Sequence, residues 1–320
     1  MNTHPSISDP SVSPASTIHS RRVNVDGLNL FYREAGSPEN PTLVLLHGYP
    51  SSSFMFRDLM ARLADRFHLI APDYPGFGNS DAPPPAEFEY SFDHFSDIID
   101  RLLEALRVTK HSFYMQGYGA PIGFRLATKH PERVQAFIIQ NGNAYEEGFS
   151  PAWTPFRALW QNRNPETEAA IATLFAPKST QFFYTEGARD PGTLNPDAWN
   201  MDQFFLDRAA NQAANMEIFY DFRKNLPLVD QWHAYFRDHQ PSTLIVWGEN
   251  DPFFTVDGAK AYLRDLPRAE LHLLPTGHTA LEEEGATIAD HIRRFLPTVL
   301  FTAEAKGRSR DDTMEQSSHD

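Results

Sequence analysis

The chain has 320 residues, of which 41% are hydrophobic and 22% charged, and it contains no cysteine. This length and composition exclude a chain that is disordered throughout and favour one large α/β domain with an insertion. The net charge of −14 argues against nucleic acid or anionic lipid as a partner, and the lack of cysteine excludes a disulfide framework, a thiolate nucleophile and Cys-ligated metal.

Both ends of the chain have the composition of disordered tails. Residues 1–20 are rich in Ser and Pro, and residues 303–320 mix charged and polar side chains. The first segment has neither the basic nor the apolar region of a signal peptide, and no later apolar run reaches the ~20 residues that span a bilayer. We therefore expect a cytoplasmic protein that does not interact with membranes.

The folded part is predicted to begin with a β-hairpin, followed by six buried strands. Residues 22–32 alternate in period two around Asp26-Gly27, a pair that favours a tight turn. Six short apolar runs bounded by turn residues predict strands at Thr42–Leu46, Phe67–Ala71, Ser112–Met115, Val134–Ile139, Leu244–Trp247 and Glu270–Leu274.

Helices are predicted between these strands. Apolar residues at helical spacing predict helices over Phe54–Leu63 and Phe92–Leu106, and Ser91 is a suitable N-cap for the second. Strands that alternate with helices predict an α/β fold with a mostly parallel, doubly wound sheet and helices on both faces.

Between the fourth and fifth of these strands the alternation stops. Helices over Trp199–Asn215 and Met216–Phe222 are predicted in this stretch, which is rich in Trp, Phe, Asn and Pro. Because strands flank it, we interpret residues 145–225 as a helical cap inserted into a core formed by residues 21–144 and 226–302. Ligands of open α/β sheets bind beyond the carboxyl ends of the strands, so the cap would act as a lid over a site with little water.

Four loops that follow predicted strands carry unusual residues. They are His47-Gly48-Tyr49-Pro50, Gln116-Gly117-Tyr118-Gly119-Ala120-Pro121, Gly248-Glu249-Asn250-Asp251-Pro252 and Gly277-His278. One arrangement uses all four loops: a nucleophile elbow, a backbone oxyanion hole, an acid and a histidine, in the chain order nucleophile, acid, histidine.

With these loops and the turn from Asp73 to Ser80, the sequence resembles the α/β-hydrolase superfamily, specifically the lid-bearing branch of epoxide hydrolases and haloalkane dehalogenases. The resemblance runs from about residue 21 to residue 300. It implies the α/β-hydrolase fold with a helical cap. It also implies that Asp251 accepts a hydrogen bond from one ring nitrogen of His278 and leaves the other nitrogen as a general base.

The resemblance implies an aspartate nucleophile at the elbow, but Gly117 stands there. Glycine has no side chain that could form the ester intermediate, and we expect Gln116 and Tyr118 to diverge from the crevice. Glycine accepts the positive φ of an elbow, so the fold should survive. The sequence leaves open whether an engineered change removed an aspartate or natural divergence produced an enzyme without a covalent step.

The resemblance also suggests how a substrate would be held. The backbone N–H groups of Tyr49 and Tyr118 would form the oxyanion hole. In haloalkane dehalogenases, Asn and Trp at these two positions hold the halide, so two tyrosines disfavour dehalogenation. Epoxide hydrolases use lid tyrosines to protonate the epoxide oxygen, and Tyr184 and Tyr220 are candidates, with packing inside the cap as the alternative.

Two further residues are candidate substrate contacts. Trp153 lies at helical spacing with other aromatic residues and would form lid core or pocket wall. Asn141 follows a strand end and would either hydrogen-bond a ligand or form a turn at Gly142.

We interpret the chain as a hydrolase of an apolar, uncharged small molecule (an epoxide, ester or alkyl halide), in which covalent catalysis is lost or replaced by general-base chemistry of His278 and Asp251. Two alternatives remain: a cofactor-free lyase or oxygenase that uses the same pair, and a non-catalytic ligand binder. No cofactor or metal is expected, because residues 117–123 lack the dinucleotide glycine spacing and no metal-spaced cluster occurs. We expect a monomer or homodimer.

Overall fold

The structure, a computed structural model, describes the backbone of residues 17–316 and side chains up to residue 300. Of the two predicted tails, residues 1–16 and 317–320 lie outside the described residues. The first strand begins at His19, inside the segment predicted as a tail, because its backbone pairs with the second strand. The last helix continues to Gln316, where a tail was also predicted.

Eight strands form one sheet. In chain order they are β1 (His19–Val25), β2 (Leu28–Ala35), β3 (Thr42–Leu46), β4 (His68–Pro72), β5 (His111–Gln116), β6 (Val134–Gln140), β7 (Ser242–Gly248) and β8 (Glu270–Leu274). Their order across the sheet is β1-β2-β4-β3-β5-β6-β7-β8. Strands β3 to β8 are parallel, whereas β1 and β2 form the predicted hairpin. The predicted mostly parallel sheet is therefore confirmed.

Eleven α-helices occur within residues 17–316. In chain order they are α1 (Arg57–Leu63), α2 (Phe92–Ala105), α3 (Gly119–Lys129), α4 (Thr154–Gln161), α5 (Pro165–Ala172), α6 (Pro177–Thr185), α7 (Pro196–Leu206), α8 (Ala209–Asp221), α9 (Val229–His239), α10 (Val256–Asp265) and α11 (Leu281–Gln316). Helices α4 to α8 form the insertion between β6 and β7. As predicted, the hydroxyl of Ser91 caps α2.

The helices predicted over Trp199–Asn215 and Met216–Phe222 have different bounds. The helical structure is interrupted between α7 and α8. Helix α8 then continues through Met216, where two separate helices were predicted to meet. Asp207 ends α7 and accepts a 2.6 Å hydrogen bond from Gln203, and Arg208 has an extended backbone. The break at Asp207 and Arg208 thus interrupts an apolar spacing that is continuous in the sequence.

Strand alternation divides the core between the two faces of the sheet. On β3, Leu43 and Leu45 pack with residues of α1 and α11, whereas Val44 and Leu46 pack on the opposite face with residues of α2 and α3. All four side chains are fully buried. This double burial explains why the parallel strands read as continuous apolar runs.

The turn from β5 to α3 lies very close to the neighbouring strand β3. A Cβ on Gly119 would collide with the backbone carbonyl of Leu46 and lie 2.8 Å from its Cβ. Glycine at this position lets the first turn of α3 rest on β3. This contact sets where α3 begins and hence where residue 117 stands.

We predict that Gly119→Ala lowers the free energy of unfolding by about 1–3 kcal/mol, because the added methyl group meets backbone that cannot rotate away. Urea denaturation monitored by circular dichroism measures this. Gly285→Ala in α11 is the matched control: nothing lies within 4 Å of its added Cβ, so stability should stay within about 1 kcal/mol or rise. Equal effects of the two changes would contradict the prediction.

Candidate active site

The loops that follow β7 and β8 bring Asp251 and His278 together. Nδ1 of His278 lies 2.7 Å from Oδ2 of Asp251, and both residues are buried. Because an ionised carboxylate only accepts hydrogen bonds, Nδ1 donates its proton to Asp251 and Nε2 is left as an acceptor. The pair therefore has the tautomer that a general base requires.

Backbone contacts hold these two loops against each other. The N–H of Asn250 donates to the carbonyl of Thr276 at 3.1 Å. A Cβ on Gly248 would collide with the carbonyl oxygen of Gly277, so the two chains are in direct contact. The acid and the base are thus aligned by the main chain.

Asn141 supports the acid instead of lining a ligand site. Its Nδ2 donates to Oδ2 of Asp251 at 2.8 Å and to the carbonyl of Gly248 at 3.2 Å, and its Oδ1 accepts from the N–H of Gly248 at 2.9 Å. The N–H of Phe253 donates to the other carboxylate oxygen at 2.7 Å. Because these bonds engage both ends of its amide, the ligand contact suggested for Asn141 is not what the structure shows; Asn141 positions Asp251.

Gly117 lies in the turn between β5 and α3 with a φ of 50°. A Cβ built on it would lie 3.7 Å from Nε2 of His278 and 3.4 Å from Cα of Gly48, which are ordinary contact distances. A Cβ at residue 117 would therefore lie beside the base nitrogen without collision, although the positive φ strains any residue other than glycine. The turn has the geometry of a nucleophile position, and glycine supplies no attacking atom there.

Gln116 points towards His278, contrary to the expectation that it diverges. Its Nε2 donates to Nε2 of His278 at 2.9 Å. On β6, Gln140 donates to the carbonyl of His278 at 3.1 Å and accepts a hydrogen bond from Tyr114. Gln116 therefore occupies the acceptor position of the base and must move before His278 can take a proton from water.

The backbone N–H groups of Tyr49 and Tyr118 follow β3 and β5 and border the space beside Gly117. Neither N–H donates to an acceptor within the described part of the chain. Parallel neighbouring strands present their carboxyl ends at one edge, and both Tyr49 and Tyr118 line the chamber that holds His278. They are available for the role of an oxyanion hole.

The side chain of Tyr118 also belongs to the site, although we expected it to diverge. Its hydroxyl is buried and has no hydrogen-bond partner among the side chains and backbone groups described. Burial raises the pKa of Tyr118 well above its ordinary value, with a smaller contribution from Tyr49, so the phenol stays protonated. By contrast, the hydroxyl of Tyr49 donates to the carbonyl of Leu174 at 2.9 Å.

A small, largely apolar chamber of about 30 Å³ lies in front of His278. It is lined by Tyr49, Gly117, Tyr118, Trp153, Phe156, Phe183, Phe219, Phe253, Phe254 and His278. A volume of this size holds about two water-sized groups. Substrates of ordinary size need several hundred Å³, so binding one requires the aromatic walls to move.

Of the predicted contacts in the insertion, the structure brings only Trp153 to the chamber. Its Nε1 donates to the carbonyl of Phe253 at 3.1 Å, so Trp153 forms an apolar wall and offers no donor. Tyr184 donates its hydroxyl to Asp202, and Tyr220 packs against the guanidinium of Arg163 near the surface. The chamber therefore lacks the two lid hydroxyls that the sequence analysis proposed, since both side chains have other partners.

Asp202 of α7 joins the insertion to the loop that follows β3. Its Oδ1 accepts a 3.2 Å hydrogen bond from the hydroxyl of Ser51, and its Oδ2 accepts one from Tyr184. Burial raises the pKa of Asp202 to about 7, although these two hydrogen bonds act in the opposite direction. A buried carboxyl group therefore fixes α7 to the core beside Tyr49.

No helix within residues 17–316 combines the length and hydropathy needed to cross a membrane. Among the side chains described, up to residue 300, no three His, Asp or Glu side chains are grouped to hold a metal ion.

Comparisons with known proteins agree with this architecture. A family model described as alpha/beta hydrolase fold matches residues 41–285. An uncharacterized hydrolase of Saccharomyces cerevisiae is 38% identical over 271 residues, which cover 83% of this chain and 93% of the yeast protein. A cis-3-alkyl-4-alkyloxetan-2-one decarboxylase of Shewanella oneidensis is 28% identical over 287 residues, or 85% of this chain and 86% of that protein.

One solved structure extends this likeness to the fold. The haloalkane dehalogenase DbeA of Bradyrhizobium elkani has a TM-score of 0.75 at 20% sequence identity. The match covers 89% of this chain and 100% of that chain. At this level of identity the likeness concerns the fold alone.

We predict that Asp202 makes the stability of the protein depend on pH. Its pKa is about 7 in the folded state, against an ordinary 3.8, so the folded protein binds this proton more tightly and the free energy of unfolding falls as pH rises from about 4 to 7. The variant Asp202→Asn should lack this decrease. Urea denaturation at a series of pH values measures it.

The control for this experiment is Asp197→Asn, which changes an exposed carboxylate on the same helix. It should keep the pH profile of the wild-type protein. If Asp202→Asn shows the same decrease between pH 4 and 7 as the wild type, the buried carboxyl is not its source.

Proposed function

This chain belongs to the alpha/beta hydrolase fold family, and we propose that it acts on apolar, uncharged small molecules (epoxides, esters or alkyl halides) with Asp251 and His278 as acid and general base. Relatives named hydrolases support hydrolysis as the reaction type. The chamber supports the substrate class, because His278 is its one titratable side chain besides two protonated phenols.

The observation that carries this proposal is the position of residue 117. The ideal Cβ of Gly117 lies 3.7 Å from Nε2 of His278, which is the relation of a nucleophile to the base that later activates water. Without a carboxylate there, the ester intermediate cannot form. His278 can still take a proton from water once Gln116 releases Nε2, and the N–H groups of Tyr49 and Tyr118 can stabilise an oxyanion.

We propose that the insertion serves as the lid of this site. Four of the chamber walls, Trp153, Phe156, Phe183 and Phe219, come from it. A chamber of about 30 Å³ is too small for a substrate, so these side chains must separate from Phe253 and Phe254 on the core. Closure afterwards would exclude water other than the attacking molecule.

A lyase is the second candidate function. The observation that favours it is the decarboxylase of Shewanella oneidensis, which matches most of this chain. In such a reaction the pair of His278 and Asp251 would move a proton without an attacking side chain. Activity that depends on His278 but does not increase with a carboxylate at residue 117 would distinguish this function from the first.

We predict that Gly117→Asp raises turnover by several orders of magnitude. Loss of a catalytic nucleophile costs about 10⁶ in rate, and a Cβ at residue 117 meets only ordinary contacts. The left-handed backbone costs about 1–2 kcal/mol for a non-glycine residue, so the variant should fold. A panel of epoxides, alkyl halides and esters, assayed by gas chromatography, measures the gain.

Two controls accompany this measurement. Gly117→Ala has the same backbone cost but no carboxylate and should show no gain, and adding His278→Ala to Gly117→Asp should abolish the gain. If Gly117→Asp is no more active than the wild type on every member of the panel, the proposed nucleophile position is refuted.

We also predict that Tyr118 donates a hydrogen bond to the substrate oxygen. Tyr118 lines the chamber and its hydroxyl is buried without a partner in the described chain, so the hydroxyl is free to donate a hydrogen bond to a substrate. In the Gly117→Asp background, Tyr118→Phe should lower kcat/KM for an oxygen-containing substrate about 10- to 100-fold, the value of a hydrogen bond to developing charge. Tyr49→Phe removes a hydroxyl that is bound to Leu174 and should change kcat/KM much less.

A further inference from the structure

We propose that the space beside Gly117 is a binding site for one small carboxylate, formate being the best fit, and that this free anion replaces the missing side chain as the attacking group. The inference rests on the site described under the proposed function. It goes further because it assigns the present chain, with glycine at residue 117, a second small ligand and a route through a covalent intermediate.

The turn at Gly117 leaves room for additional atoms. The nearest neighbours of a Cβ on Gly117 lie at 3.4 Å (Cα of Gly48) and at 3.7 and 3.9 Å (Nε2 and Cε1 of His278). The other glycines of the elbow are different, because a Cβ on Gly119 or Gly123 would collide with Leu46 or Met115. Room for extra atoms is therefore found at residue 117 and not at the other two elbow positions.

The residues around this space also offer hydrogen-bond donors that an anion would need. The N–H groups of Tyr49 and Tyr118 have no acceptor among the described residues, and both residues line the chamber beside Gly117. The N-terminus of α3 begins two residues beyond Gly117 and adds a favourable field for negative charge. Tyr118 lines the chamber, and its hydroxyl, which is buried and has no partner in the described chain, is a third candidate donor.

The size and polarity of the chamber restrict the ligand. Its volume of about 30 Å³ corresponds to about two water-sized groups, which matches the two oxygens and one carbon of formate. Acetate adds a methyl group and propionate a longer chain, so both are larger than formate relative to the closed chamber of about 30 Å³. No lysine or arginine lines the chamber, so a divalent anion such as phosphate would lack compensating charge.

The reaction balances for an epoxide. One formate oxygen attacks a ring carbon and forms a C–O bond, while the ring C–O bond breaks and its electron pair goes to the ring oxygen, which is protonated from water by way of Tyr118. The product is a hydroxyalkyl formate. Water then attacks the formyl carbon and gives a proton to Nε2 of His278, and cleavage of the ester releases formate and a diol.

The expected increase in turnover can be estimated by comparing a free nucleophile with one attached to the protein. A nucleophile in the same molecule behaves as though it were present at about 10⁵ M or more, and the nucleophile is worth about 10⁶ in rate. Formate at about 1 M should therefore raise turnover of the wild-type chain about tenfold. The dependence on formate should saturate, because the anion binds before it reacts.

The test uses the full-length wild-type chain, sodium formate, and the epoxide on which Gly117→Asp turns over fastest. Turnover should rise with formate, rise less with acetate, and not rise with propionate, with sodium chloride as the ionic-strength control. NMR of ¹³C-labelled formate measures binding independently of turnover. Gly117→Ala is the matched control, because its methyl group takes part of the space and should abolish both binding and rescue.

The outcomes separate this inference from the proposed function. Saturable rescue and binding in the wild type, both lost in Gly117→Ala, support it. If Gly117→Asp is active but formate neither binds nor accelerates turnover, the carboxylate site is refuted and the proposed function stands. Formate that binds without accelerating turnover refutes the attacking role, and a Gly117→Asp variant no more active than the wild type on the whole panel refutes the nucleophile position on which this inference rests.

Discussion

The hydrogen bond between Nδ1 of His278 and Asp251, 2.7 Å long, is the interaction on which the rest of the site depends. It fixes the tautomer of the imidazole and directs Nε2 towards residue 117. Asn141 holds the carboxylate from β6, so three adjacent strands contribute to one alignment. Because these strands are parallel and buried on both faces, their loops meet at one edge whatever the side chain at the elbow.

The sheet could be predicted well because each of its strands is marked by neighbouring residues in the sequence. Apolar runs bounded by turn residues mark buried strands, and the bounds of β8 agree with the prediction to the residue. The pair of Asp26 and Gly27 indicated the hairpin because both residues tolerate positive φ. The insertion was harder to predict, because the break between α7 and α8 at Asp207 and Arg208 falls within a stretch whose apolar spacing continues in the sequence.

The site could be predicted in part. Strand ends identified Asp251 and His278, because parallel strands bring their carboxyl ends together. The orientation of Gln116 was missed, although strand alternation held a signal: on β5, Gln116 shares a face with Tyr114, whose hydroxyl bonds to Gln140 beneath His278. The partners of Tyr184 and Tyr220 could not be predicted, because they depend on how the helices of the insertion pack together.

The aromatic closure of the chamber has a kinetic consequence. When the walls must separate before anything enters, uptake at high ligand concentration proceeds no faster than the walls part, so concentration ceases to matter beyond a point. Which ligand enters the chamber then depends both on how long the walls stay apart and on how well the ligand fits the closed chamber. Replacing Phe183 or Phe219 by smaller residues would thus alter the order in which competing molecules are admitted, even if their equilibrium affinities stayed the same.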